Sequence, residues 1–373
     1  MAYFIGLMSG TSMDGVDAAI VDIDPAENTL VPIHSVSSPY SQALKLKLDT
    51  LLSADKKFSV HEIATVDAEI ADAFADAALA VLTQSALSKD SIVAIGSHGQ
   101  TIRHGTDYVP AYTYQLGNGA RVAAKTDIPV VSDFRSYDVA KGGEGAPLAP
   151  AFHEWFFSKP GTKRALLNLG GIANLSILPF DENTPLRGFD TGPANCLLDE
   201  WCTKHTGQAF DRNGAWAAGG TPIPRLLEMM LADPYFALPI PKSTGREYFN
   251  LDWLNALLKN SKTHNASSQD IQASLAQLTV RSIASHIERY CADAKDLIIC
   301  GGGTNNTHLL EQIQNSLPGL QVSASDAFGL NPNMLESYAF AWLAHCRWHE
   351  VPVTLTTKPG DERKAILGSL HLA

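Results

Sequence analysis

The sequence predicts an α/β protein of two lobes, and three observations carry that prediction. Its 373 residues exceed the roughly 250–300 at which a single hydrophobic core stops growing. Short apolar runs alternate with Gly-rich turns and with long stretches of helical periodicity, the mark of mixed strands and helices. That order of elements also occurs twice. Each half holds a hairpin around a Gly-rich turn, then a long amphipathic helix, then a buried strand that ends in a glycine-bearing segment.

From the N-terminus, an apolar run starting at Tyr3 enters Ser9-Gly10-Thr11-Ser12-Met13-Asp14-Gly15, and a second leaves it through Ala18-Ala19-Ile20-Val21-Asp22-Ile23. Apolar runs flanking a Gly-rich turn read as a β-hairpin over Tyr3 to Asp24. A helix is expected around residues 60–86, where Ile70, Phe74, Ala78, Val81 and Leu82 share one face. Ser91-Ile92-Val93-Ala94-Ile95-Gly96 is a short buried strand running into Ser97-His98-Gly99-Gln100-Thr101.

The second half begins again at Ala165-Leu166-Leu167-Asn168-Leu169, turns at Gly170-Gly171-Ile172-Ala173-Asn174 and leaves through Leu175-Ser176-Ile177-Leu178. A helix over about 269–292 buries Ile271, Leu275, Leu278, Ile283 and Ile287, and Ser267 with Asp270 forms a capping box at its start. Leu297-Ile298-Ile299-Cys300 then runs into Gly301-Gly302-Gly303. The repeat is one of elements, not of residues, and alternation of this kind also occurs in α/β proteins with no duplication. The Gly/Pro-rich stretch Lys141 to Pro150 falls where two lobes would join, and would equally serve as an ordered substrate loop.

Hydrophobic residues make up 45% of the chain and charged residues 18%, too apolar for disorder. A formal net charge of −11 disfavours nucleic acid and anionic membranes as partners. No apolar run is long enough to span a membrane, and the start lacks the basic segment of a secretory signal. The five cysteines form no C-x-x-C pair and read as small buried residues in a reducing compartment, so the cytoplasm is expected.

Neither a P-loop nor a strand-borne G-x-G-x-x-G is present. Phosphates would instead lie against turns whose glycines admit close backbone approach and whose amides and hydroxyls donate. The turn Gly10-Thr11-Ser12-Met13-Asp14-Gly15 and the pair Gly170-Gly171 are candidates, although each also reads as an ordinary tight turn. Asp190, in Arg187-Gly-Phe-Asp-Thr-Gly-Pro-Ala-Asn195, is expected at a strand end with a helix starting near Asn195. It would cap its own turn, order a Mg²⁺-bound water, or take a proton from a nucleophile. His98 follows a buried strand, where ligand-facing residues of α/β sheets lie, and reads as a substrate contact or a packing group. Arg135 suits bidentate grip of a carboxylate or a surface ion pair. Glu336 starts an apolar helix and is a solvated helix-end charge or a ligand contact.

Gly6-Leu-Met-Ser-Gly-Thr-Ser-Met-Asp-Gly-Val-Asp17, Ser97-His-Gly-Gln-Thr101, Leu167-Asn-Leu-Gly-Gly-Ile-Ala-Asn174 and Gly188-Phe-Asp-Thr-Gly-Pro-Ala-Asn195 together resemble the anhydro-N-acetylmuramic acid kinase family. Cys300-Gly-Gly-Gly-Thr-Asn-Asn306 and Leu335-Glu-Ser-Tyr-Ala-Phe-Ala-Trp342 extend the resemblance over nearly the whole chain. It implies two ribonuclease-H-like lobes, as in actin, heat-shock ATPases and sugar kinases, closing over ATP, Mg²⁺ and a small amino sugar in an interlobe cleft. By that resemblance Gly10, Thr11, Ser12, Met13, Asp14, Gly15, Val16 and Asp17 wrap the phosphates. Gly170 and Gly171 face them, and Gly301, Gly302 and Gly303 lie by the adenosine. Asp190 matches the family's catalytic aspartate, while His98, Gln100, Arg135 and Glu336 are expected on the substrate.

The resemblance further implies that 1,6-anhydro-N-acetylmuramic acid is opened at its anomeric carbon and phosphorylated on O6 during cell-wall recycling. A homodimer is implied as well. The expected lobes are 1–135 and 136–360, with a C-terminal helix over about 361–373 packing back on the first and a hinge near 135–145 and near that C-terminal helix. One departure is visible. Sugar kinases at large carry an Asp just ahead of the Gly-Thr of the first turn, whereas Met8 and Ser9 stand there in this chain. The metal ligands are therefore left open among Asp14, Asp17 and Asp190, acting through water. Two rival readings are an ordinary sugar kinase without ring hydrolysis, and a nucleotide-gated binding protein of the same fold.

Overall fold

The computed structural model describes residues 2–10, 13–52, 56–181, 184–260, 266–355 and 363–373. The chain forms two compact units, Met1–Phe156 with Met334–Ala373, and Phe157–Asn333.

In the first unit, β1 (Tyr3–Met8), β2 (Gly15–Asp24) and β3 (Thr29–Pro39) form an antiparallel meander. β4 (Ile92–Ser97) pairs parallel with β1, and β7 (Val130–Ser132) pairs parallel with β4, while β5 (Gln100–Gly105) and β6 (Tyr112–Leu116) make a separate hairpin. The helix Val60–Ser85 lies between the third and fourth strands in sequence and buries Ile70, Phe74, Ala78, Val81 and Leu82. It starts on a complete capping box between Ser59 and Glu62.

The second unit repeats this order. β8 (Arg164–Leu169), β9 (Ile172–Ile177) and β10 (Arg187–Pro193) are an antiparallel meander. β11 (Asp296–Cys300) and β12 (Gln321–Ala324) continue it in parallel beyond β8. The sheet orders β3-β2-β1-β4-β7 and β10-β9-β8-β11-β12 correspond strand for strand. The repeat seen in the element order of the sequence is thus a repeat of topology. The helix Ser268–Tyr290 buries the expected face, and Ser267 caps it by accepting from the Asp270 amide. The Asp270 carboxylate accepts from the Thr221 amide and is also held down by hydrogen bonds from Ser267.

The boundaries differ from the expected 135/136 and 360. Residues 136–156 stay with the first unit, and the chain returns to it at Met334. The return follows from how the helix Leu335–Trp348 packs on β1 and β4. A Cβ at Gly6 would lie 1.8 Å from the Ser337 carbonyl oxygen, and one at Gly96 2.0 Å from that of Phe340. Only glycine lets the helix backbone come this close.

The C-terminal helix is also corrected. Among the described residues this stretch holds β14 (Arg363–Ala365), which pairs with β13 (Val353–Leu355), and β15 (Ser369–His371), which joins the first sheet beside β7. Ala365 and Leu367 are buried while Ile366 between them is exposed, a period of two. Gly368 at φ +93° then turns the chain against Val131 and Phe134. Residues 361 and 362 lie outside the described residues.

Candidate active site

Asp190 is the most thoroughly constrained of the sequence-identified residues in the second unit. It lies within β10, at a register shift between Asp190 and Gly192, not at the expected strand end. The helix after it does start at Asn195. Asp190 is register-paired with Asn174 of β9, whose Nδ2 donates to Asp190 Oδ1 at 2.6 Å. The Thr244 amide donates to Oδ2 at 2.9 Å. The Asp190 backbone is fixed as well, its amide donating to the Lys242 carbonyl at 2.9 Å and its carbonyl accepting from Tyr235 Oη at 2.9 Å.

Burial pushes the Asp190 carboxyl up to about 6, against the lowering effect of the Asn174 and Thr244 hydrogen bonds. Nearby Glu247 adds to the rise and Lys242 opposes it. Each carboxylate oxygen has further lone pairs beyond the one engaged here. A group poised near neutrality with acceptor capacity to spare suits a general base. Burial also lowers Lys242 to about 8, and its Nζ donates to the carbonyls of Tyr235 and Phe236.

Gly170 and Gly171 form the β8–β9 turn. The Gly171 carbonyl accepts from the Ala194 and Cys196 amides and the Gly170 carbonyl from the Asn195 amide, so the turn is fastened to the start of the helix Asn195–Thr206. Gly301, at φ +84°, passes so close to Asn168 that a Cβ would lie 2.3 Å from Oδ1. Gly303 packs as closely on Leu169, whereas a Cβ on Gly302 would meet nothing within 4 Å.

In the first unit, Gly10, Met13, Asp14 and Gly15 flank the first turn, and Thr11 and Ser12 lie outside the described residues. Val16 is buried in the core, so only its backbone could reach a ligand. Asp14 is exposed and pairs with Lys45 at 2.6 Å. Asp17 is partly buried, which raises its carboxyl, while the Ser37 hydroxyl donating at 2.5 Å opposes the rise.

His98, Gln100 and Arg135 are brought together with this turn. Ser9 Oγ stands 2.7 Å from both Gln100 Oε1 and the Gly15 carbonyl, and Gln100 Nε2 donates to the Gly10 carbonyl at 3.3 Å. His98 Nδ1 is 3.2 Å from the Ser9 carbonyl, and Arg135 contacts His98 Nε2 from the other side. Glu336 is exposed in the first turn of the helix Leu335–Trp348 and within electrostatic reach of Arg135 and Asp17.

Sequence reasoning missed Asn174, Tyr235, Lys242 and Thr244 as partners of Asp190. Asn174 had a signal, since it stands in the hairpin next to the strand that bears Asp190. Thr244 had none, because a backbone amide 54 residues away leaves no trace in local spacing.

The family profile described as "Anhydro-N-acetylmuramic acid kinase" matches residues 2–373. A protein of that name from Nitrosospira multiformis is 42% identical over 372 residues, covering 100% of this chain and 99% of its own. Another from Nitrosomonas europaea is 42% identical over 371 residues, covering 100% of both. Among solved structures, the Acidaminococcus fermentans (R)-2-hydroxyglutaryl-CoA dehydratase component A superposes with a TM-score of 0.50 at 11% identity, covering 92% of this chain and 98% of its own. That likeness concerns the fold alone.

Proposed function

The chain belongs to the anhydro-N-acetylmuramic acid kinase family, and on that premise we propose that it uses ATP to convert 1,6-anhydro-N-acetylmuramic acid and water into N-acetylmuramic acid 6-phosphate and ADP. The observation that carries the mechanism is the Asp190 carboxylate, anchored on both oxygens and held by burial near 6.

In this mechanism Asp190 removes a proton from water as its oxygen bonds to the anomeric carbon. The bond from that carbon to O6 breaks, and O6 takes its electron pair to the γ-phosphorus as the bond to the β-bridging oxygen breaks. One carboxylate suffices because the leaving oxygen is captured by phosphorus, whereas an ordinary glycosidase needs a second carboxyl to protonate it. Asn174 and the Thr244 amide orient the base toward its proton. The turns at Gly10–Gly15 and Gly170–Gly171 are the proposed phosphate contacts, and Gly301–Gly303 the proposed adenosine contact. Arg135 is assigned to the lactyl carboxylate.

Mg²⁺ commonly keeps several waters and binds through one or two carboxylates plus substrate phosphates. Asp17 suits that habit, a partly buried carboxylate that among the described residues accepts on Oδ1 alone, from Ser37. It would hold the ion through water, and when bound the ion would neutralise charge on the phosphates. No described helix is long and apolar enough to cross a membrane. A cytoplasmic homodimer acting on a small amino sugar completes the proposal.

The test is turnover in ¹⁸O-labelled water. Label at the anomeric hydroxyl of the 6-phosphate is expected; phosphorylation without label there would leave an ordinary sugar kinase.

A further inference from the structure

Resting on that reading of the substrate, we infer that His98 is a positioning residue: it holds Arg135 so that one N–H on each terminal guanidinium nitrogen forms a fork for the sugar's lactyl carboxylate. The hydrogen-bond partners fix the state of the imidazole. Nδ1 faces the Ser9 carbonyl at 3.2 Å, and a carbonyl only accepts. Nε2 faces Arg135 Nε at 3.1 Å and Nη2 at 2.9 Å, and a guanidinium only donates. His98 is therefore neutral, with its proton on Nδ1 and its Nε2 lone pair engaged by Arg135.

Both ring nitrogens are thus committed inside the protein. Phe340 packs on the ring with centroids 4.8 Å apart, and His98 is only 6% exposed. Neither ring nitrogen of His98 is left to meet a sugar, so the contribution inferred for it runs through Arg135. Burial and the adjoining Arg135 cation both act to keep the ring uncharged.

The donor count on Arg135 defines the fork. Of five N–H groups, Nε–H and one on Nη2 go to His98, and one on Nη1 goes to the Gly145 carbonyl at 2.7 Å. One N–H on Nη1 and one on Nη2 have no acceptor among the described residues. Adjacent donors on the two terminal nitrogens are the geometry that grips a carboxylate with two parallel hydrogen bonds.

The frame behind the fork is itself held. Asp138, fully buried, accepts from the Gly145 amide at 2.7 Å and so fixes the carbonyl that restrains Nη1. On the other side His98 and Gln100 grip the carbonyls of Ser9 and Gly10. One short segment, Ser97 to Gln100, therefore ties the proposed phosphate turn to the proposed carboxylate fork.

The experiment measures kcat/KM, at saturating ATP and Mg²⁺, for 1,6-anhydro-N-acetylmuramic acid and for 1,6-anhydro-N-acetylglucosamine, which lacks the lactyl group. The native protein should favour the lactyl sugar by about 10- to 100-fold, the worth of hydrogen bonds to a charged group. Arg135→Met should bring the ratio close to one. His98→Leu should lower it at least about fivefold, and His98→Gln, which keeps an acceptor at the Nε2 position, should recover most of it. A His98→Leu protein that loses activity on both sugars equally, with the ratio intact, would overturn the positioning role. A ratio unchanged in Arg135→Met would overturn the fork.

Native protein that turns over neither sugar would sink the proposed substrate instead. In that case ¹⁵N imidazole spectra of native protein and Arg135→Met still judge the restraint. A protonated Nδ1 with a bare Nε2 in the native protein, altered when Arg135 is replaced, supports it; an imidazolium or the opposite tautomer refutes it.

Discussion

Replacing Asp190 by Asn tests the proposed base, and the structure allows its side effects to be sized in advance. A carboxyl held near 6 in the folded chain, against an ordinary 3.8, binds its proton more readily folded than unfolded. Stability therefore falls as pH rises through the interval between those values. At neutral pH the cost of keeping the carboxylate ionised is about 3 kcal/mol. Asp190→Asn removes that cost. It also introduces one, because the amide can accept from only one of Asn174 Nδ2 and the Thr244 N–H, and its own NH₂ then faces the other donor. A frustrated buried donor of this kind costs about 1–3 kcal/mol. The two effects oppose each other, and the melting temperature should stay within about 5 °C of the native value.

Catalysis has no such cancellation. Loss of a general base costs about 10²–10⁴ in rate, or about 3–5 kcal/mol of barrier. A coupled assay for ADP release with the anhydro sugar should thus show turnover at pH 7 reduced at least about a hundredfold in a folded variant. Retention of more than about a tenth of native turnover would show that proton removal by Asp190 is not what accelerates the reaction.

Two further outcomes follow from particular contacts. The Asn174 hydrogen bond holds the Asp190 carboxyl down against burial, so Asn174→Ala should move the acid limb of kcat/KM upward from about 6 and reduce activity more at pH 6 than at pH 8; a pH–rate profile with an unmoved limb would contradict this. Gly96→Ala would place a Cβ 2.0 Å from the Phe340 carbonyl oxygen, so the helix Leu335–Trp348 must move off β4. Overpacking of this type costs about 1–3 kcal/mol or more, and an unshifted urea midpoint would refute that reading of the glycine.

What the sequence disclosed was local. Both hairpins, the helices over 60–86 and 269–292 and the strands ahead of His98 and Gly301 announce themselves through periodicity and turn residues a few positions apart. The C-terminal strands escaped because β15 is three residues long and its order comes from pairing with β7, far away in sequence. The division at 135/136 failed for a related reason. Residues 141–150 look like a linker by composition, yet Asp138 and Arg135 tie Gly145 into the first unit. For the site, motif spacing selected Asp190, His98 and Arg135, but part of what holds them comes from the Thr244 amide and from the carbonyls of Ser9 and Gly145. Backbone amides and carbonyls carry no residue-type signature.

The correspondence of the two sheets explains why the repeat is plain in topology and obscure in residues. A hairpin needs apolar strands and a permissive turn, and the partners of that turn are free to differ. In the first unit Gln100 and His98 hold the carbonyls next to the turn, whereas in the second the turn carbonyls receive the amides of a helix start. A polar pair across the second and third strands is retained in both units with its chemistry reversed. Asp17 on β2 accepts from Ser37 on β3, while on β9 and β10 the carboxylate is on the third strand, where Asp190 accepts from Asn174. Burial raises both carboxyls. What distinguishes Asp190 is the second donor, the Thr244 amide, delivered by a loop with no counterpart among the contacts of Asp17. The same strand pairing thus presents a carboxylate in each unit, and among the described residues only the second is clamped through both oxygens, the restraint that the proposed base would need.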